Sequence, residues 1–108
     1  MREFTVKCEK PYKGEVVIEV VRYKDRLRYI KECNFKIDST GNVEIGGDQI
    51  ESFIKMIELA EKHVKKVDVK HGDIHATSFD EMQDYLEFDN LVSLVASAVL
   101  NGGSVGKS

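Results

Sequence analysis

The run Asp48-Gln-Ile-Glu-Ser-Phe-Ile-Lys-Met-Ile-Glu-Leu-Ala-Glu-Lys-His-Val64 reads as an amphipathic helix. Asp48 followed three residues later by Glu51 has the spacing of a capping box. Ile50, Phe53, Ile54, Ile57, Ala60 and Val64 recur at three- and four-residue steps, which predicts one apolar face. Glu51 with Lys55, Glu58 with Lys62 and Glu61 with Lys65 lie four apart, acid first, as suits a solvated opposite side. Such a helix needs a sheet to cover, and the segments on either side should supply it.

Upstream, Phe4, Val6 and Cys8 alternate with polar residues and predict a first strand. Lys10-Pro-Tyr-Lys-Gly14 supplies a turn. Glu15 to Tyr23 is rich in β-branched residues and predicts a second strand, with Val16, Ile18 and Val20 inward and Val17, Glu19, Val21 and Tyr23 outward. Lys24-Asp25 then reads as a tight turn into a long third strand from Arg26 to Asp38, where Leu27, Tyr29, Cys33, Phe35 and Ile37 share one parity. Ser39-Thr-Gly-Asn42 closes a hairpin into Val43-Glu-Ile45, and Gly46-Gly47 frees the backbone to enter the helix.

Downstream, Val67-Asp-Val69 and Ile74-His-Ala-Thr77 are short β-like runs around His71-Gly72-Asp73. Ser78-Phe-Asp-Glu81 is a second capping box, opening a short helix. Asp89 to Leu100 predicts a last helix ended by Asn101-Gly102. Its residues are apolar nearly all round, so it must be buried, and in so small a domain a second subunit is the expected cover. Leu91, Val95, Val99 and Leu100 are the expected oligomer interface. The architecture so read is α+β: an antiparallel sheet of four or more strands packed on one long amphipathic helix, plus a C-terminal helical segment. One domain spans residues 1–101, with the sheet in 2–46, the helix in 48–64 and the C-terminal extension in 67–101; 102–108 is a flexible tail.

At 108 residues, with 42% apolar and 32% charged content, the chain is one globular domain of ordinary composition. No run of about 18 apolar residues spans a membrane. Cys8 and Cys33, without a signal segment, read as reduced thiols of a cytoplasmic protein. The net charge of −3 conceals an asymmetry. Residues 1–36 hold ten Lys/Arg against six Asp/Glu, whereas residues 37–108 hold six against thirteen. No Lys or Arg stands between His71 and Gly106. A basic first third beside an acidic last third points to an anion-facing surface and a separate acidic one.

On the predicted outward sheet face Lys7, Arg26, Arg28 and Lys36 mingle with Val17, Val21, Tyr23 and Ile30. Cations pair with phosphate oxygens and flat groups receive bases, so this face suits a nucleic acid strand or a nucleotide. The same pattern also suits a subunit interface with an apolar centre and a charged rim. His71, Asp73 and His75 would share one side of a continuous strand and could hold Zn²⁺ or Fe²⁺, but Gly72 predicts a turn that separates them. The expectation is therefore no bound metal. Gly102-Gly-Ser-Val-Gly-Lys-Ser108 lacks the first glycine of a phosphate-binding loop, since Asn101 stands there. No nucleophile with a paired base stands out, and Cys8 and Cys33 fall on core-facing parities.

Over residues 16–64 the chain resembles the single-strand-binding transcriptional coactivators called positive cofactor four. The resemblance rests on Val20-Val-Arg-Tyr-Lys-Asp-Arg-Leu-Arg-Tyr-Ile-Lys-Glu32 and on Gly41-Asn-Val-Glu-Ile-Gly-Gly-Asp-Gln-Ile50 entering a helix. It implies a strands-then-helix dimer whose sheet grips single-stranded DNA, with Tyr23, Arg26, Arg28 and Lys36 as gripping positions. The expected function is non-catalytic binding of a nucleic acid strand or nucleotide by an oligomer, with Lys7 joining those four and no cofactor. The competing expectation is a protein-binding inhibitor or adaptor, of the kind phages use as regulators or decoys, acting through the acidic stretch Asp73–Asp89.

Overall fold

A computed structural model describes residues 2–37, 39, 43–45 and 49–102. The order of elements is β1 (Glu3–Lys7), β2 (Lys13–Glu19), α1 (Tyr23–Glu32), β3 (Phe35–Ile37), β4 (Val43–Ile45), α2 (Gln49–Glu61), β5 (Val64–His71), β6 (Ile74–Ala76), α3 (Phe79–Gln83), a 3-10 turn (Leu86–Phe88) and α4 (Asp89–Leu100). The fold is α+β. A four-stranded antiparallel sheet runs β1-β2-β5-β6, and β3 pairs with β4 in a separate two-stranded ribbon. No helix among the described residues is long and apolar enough to cross a membrane.

The β1–β2 hairpin follows the alternation in the sequence. Val6, Val16 and Ile18 are buried, and Glu3, Thr5, Lys7, Lys13 and Glu15 are exposed on the other face. Gly14 adopts φ +109°, and a Cβ there would lie 1.9 Å from the Asp68 carbonyl oxygen, so only glycine lets β2 reach β5 at this point. Gly72 has φ +62° at the first position of the two-residue β5–β6 loop, as a type II′ hairpin turn demands.

The long third strand is replaced by helix α1 followed by the three-residue β3. Tyr23, Leu27 and Ile30 fall at helical spacing, and the intervening Lys, Asp, Arg and Glu are not strand formers. Asp25 in the first turn and Lys31 in the last complement the helix dipole. Asn34, at φ +61°, ends the helix with a left-handed residue. Parity in a run of ten residues can mimic either period, and here the helical one won.

Two further corrections concern α2 and α4. Helix α2 ends at Glu61, and Val64 opens β5 instead of continuing the helix. Its buried side is Ser52, Met56, Leu59 and Ala60, while Ile50, Phe53 and Ile54 face solvent. The N-cap assigned to Asp48, the Ser39–Asn42 turn, the Gly46-Gly47 pair and the tail from 103 lie outside the described residues, apart from the position of Ser39. Helix α4 is buried as its sequence demands, but its own chain does the covering. It lies against β2, α1, α2 and α3, leaving Leu91 2%, Val95 0%, Val99 1% and Leu100 4% exposed. Those four side chains are core and offer no surface to a second subunit.

The remaining joints are local. Ser78 Oγ accepts the Glu81 N–H at 3.1 Å, which caps α3 as the spacing foretold. The Glu81 carboxylate reaches back to Thr77 rather than Ser78, accepting from its N–H at 2.8 Å and its hydroxyl at 2.7 Å. Those bonds hold the Glu81 carboxyl below the ordinary glutamate range.

Candidate functional site

The residues expected to form one basic, aromatic sheet face are dispersed. Lys7 and Val17 do lie on the open side of the sheet, but Tyr23, Arg26 and Arg28 ride on α1, Val21 and Ile30 are buried, and Lys36 sits on the separate β3–β4 ribbon. Arg26 is tied into the structure. Its guanidinium donates to the Val21 carbonyl, stacks 5.5 Å from the Tyr23 ring centre and abuts Gly102 at the end of α4. Arg28 pairs with Asp25 at 3.2 Å. The positions carried over from the single-strand-binding coactivators thus do not share a surface strand.

What the open sheet face carries instead is a lysine set that follows from register. Lys13 stands opposite Lys70, Lys7 opposite Glu15, Val17 opposite Lys66 and Glu15 opposite Asp68. His75 stands opposite Lys70 and bonds Asp68 at 2.7 Å. The β5–β6 turn places His71 on the other face, where its ring lies 5.6 Å from Tyr12. His71, Asp73 and His75 are therefore scattered, and no group of three His, Cys, Asp or Glu among the described residues could hold a metal ion. Burial, reinforced by Glu32, pushes the Cys33 thiol up to about 11, and burial with Glu15 pushes Cys8 up as well. A groove of about 340 Å³ opens beside Cys33 between the end of α1 and the start of α2, but its thiol is no nucleophile at neutral pH.

A hydrogen-bonded chain crosses the molecule where no local motif marks it. His63, in the turn after α2, bonds Glu19 of β2 through Nδ1 at 2.9 Å and Tyr29 of α1 through Nε2 at 2.8 Å. The Glu19 N–H also donates to the His63 carbonyl at 2.7 Å. An ionised Glu19 can only accept, so Nδ1 carries a proton and donates to it, while Nε2 accepts from the Tyr29 hydroxyl in a neutral ring and donates to it in a charged one. The bond from His63 holds the Glu19 carboxyl below the ordinary range against the effect of partial burial, and Lys65 adds to it from 4.0 Å. The register shift between Val17 and Ile18 makes Lys65 the extra residue of β5 beside Glu19. Burial pushes the Tyr29 phenol up, with Asp25, Glu32 and Glu19 adding to it, so Tyr29 stays protonated and is no nucleophile. The chain's effect is to fasten α1 and the α2–β5 turn to the sheet. Its one visible sign in the sequence is Glu19, an acid set between the β-branched Ile18 and Val20.

The acidic last third forms the remaining candidate surface. Asp73, Asp80, Glu81, Asp84, Glu87 and Asp89 are all exposed. Among them stand Tyr85 and Leu86; Leu86, at 83% exposure, is the most exposed large apolar side chain among the described residues. Tyr85 rests on an aromatic cluster. Tyr85 meets Phe88 edge-on at 6.3 Å, the fully buried Phe88 stacks on Tyr12 at 6.0 Å, and Tyr12 leans on His71. This places an exposed leucine and a half-exposed tyrosine within a stretch of carboxylates. Comparison with protein-family models, with curated proteins and with solved structures finds no match to this chain.

Proposed function

We propose that the protein is a non-catalytic binding module that engages a partner protein through the acidic segment Asp73–Asp89. The observation that carries this reading is Leu86. A leucine held in water beside Tyr85 costs free energy in the isolated chain unless a partner removes it from solvent. Interfaces concentrate their energy in a few aromatic and aliphatic anchors surrounded by a polar rim, and Asp84, Glu87 and Asp89 supply that rim. Carboxylates steer a basic partner and disfavour an acidic one.

The test is a photo-crosslinking side chain placed at Leu86, with a second at Lys66 on the sheet as control, followed by reconstitution with the purified captured protein. Leu86→Asp should weaken that reconstituted complex by about tenfold or more. Equal capture from both positions, or an affinity unmoved by Leu86→Asp, would remove the reading.

A second reading has its own observation, the facing pair Lys13 and Lys70 with Lys7 and Lys66 on the open sheet. Lysines paired across strands repel each other and are tolerated more easily when a phosphate chain lies over them. Anisotropy titration of a labelled single-stranded oligonucleotide decides it. If the lysines bind the backbone, Lys13→Ala and Lys70→Ala should each lower the log–log salt slope by about 0.7. An absence of binding by the wild type at low salt leaves the protein-docking reading alone.

A further inference from the structure

We infer that two copies of the chain join edge to edge through β1, extending the four-stranded sheet into an antiparallel sheet of both copies. Strand β1 is an edge: it pairs with β2 and with nothing else among the described residues. The ladder fixes which of its backbone groups are spent. Val20 N–H donates to the Arg2 carbonyl at 2.9 Å and Cys8 N–H to the Gly14 carbonyl at 3.0 Å, both on the register that pairs Glu3 with Glu19. Alternate residues of an antiparallel strand bond the same neighbour, so Phe4 and Val6 also turn their backbone groups to β2. Glu3, Thr5 and Lys7 therefore turn theirs to the open edge, and all three residues are exposed.

The sequence of that edge is complementary to itself. In an antiparallel pair related by a two-fold axis at Thr5, Glu3 faces the partner's Lys7, Thr5 faces the partner's Thr5, and Lys7 faces the partner's Glu3. All three are hydrogen-bonded positions, so each residue's outward N–H and carbonyl finds a mate. Phe4, only partly buried within one chain, then meets the partner's Val6 on the helix-covered face. Other two-fold registers lose a pair or set glutamate against glutamate or lysine against lysine. Edges are commonly blunted by proline, by a bulge or by unmatched charge, and β1 has a continuous register with β2, no proline, and charges that match those of a second copy.

Sedimentation and amide exchange test this on the full chain. The wild type should sediment at twice the 12.3 kDa of one chain in the micromolar range. Its Glu3, Thr5 and Lys7 amides should be protected in the dimer and exchange freely on dilution to monomer, while Phe4 and Val6 stay protected in both. Glu3→Lys and Lys7→Glu should each be monomeric, because each sets like charges against one another across the axis. Mixing these two variants should restore a dimer containing one of each, since the facing charges are then opposite. Persistent protection of Phe4 and Val6 shows that each variant has kept its fold. A monomeric wild type, dimers in both variants, a mixture that stays monomeric, or a dimer with unprotected Thr5 would overturn the inference.

Discussion

Helices α2 and α4 are both rich in apolar residues, yet one is wrapped by its own chain and the other turns much of its apolar side to water. Helix α4 is apolar around most of its circumference, so any orientation buries it, and sheet, α1, α2 and α3 close around it. Helix α2 has more than one side that could serve. It packs against α4, buries Ser52, Met56, Leu59 and Ala60, and leaves Ile50, Phe53 and Ile54 outside. An apolar stripe thus shows that a helix has a side worth burying, while the element lying opposite decides which side is buried.

The sharpest way to break the comparison is to put a charge into α4. Val95→Asp buries a carboxylate with no partner and should cost more than about 4 kcal/mol, enough to abolish cooperative melting by circular dichroism. On α2, Leu59→Ala should cost about 2–5 kcal/mol in chemical denaturation, because Leu59 is core despite lying off the most regular apolar stripe.

Between the two helices in expected effect stands the chain that fastens α1 to the sheet. His63→Ala removes the partner of both Glu19 and Tyr29 and should cost about 1–3 kcal/mol. It should also change the pH profile. Glu19 and Glu81 have their carboxyls held below the ordinary range in the folded state, so their contribution is complete above the unfolded glutamate value and is lost as pH falls through the folded one. Stability measured from neutral pH downward should therefore decline through the carboxylate range. The decline should be shallower in His63→Ala, where Glu19 has lost its largest stabiliser. An unchanged profile would mean that His63 leaves the Glu19 carboxyl where it finds it.

The smallest effect belongs to the exposed side of α2. Ile50→Lys should move the unfolding free energy by no more than about 0.5 kcal/mol, since a surface position gives up little on losing its apolar group. A cost near that of Leu59→Ala would show that Ile50 is covered in solution and would bring the two helices closer together.

By itself the sequence determined whatever depends on near neighbours. Alternation marked β1 and β2, Ser78 with Glu81 marked the start of α3, Gly72 marked a turn, and the apolar circumference of α4 marked a buried helix. Residues 23–32 were legible too, because Lys, Asp, Arg and Glu around Leu27 and Ile30 favour a helix, but a count of parity reads them as a strand. Tertiary structure alone decided which side of α2 faces inward, that α4 is covered by its own chain, and that Tyr23, Arg26 and Arg28 leave the sheet. It alone also brought Glu19, Tyr29 and His63 together across separations of 34 and 44 residues. Periodicity is set by backbone geometry over a few residues, whereas a side chain's burial or partner is set by elements that arrive from elsewhere in the chain.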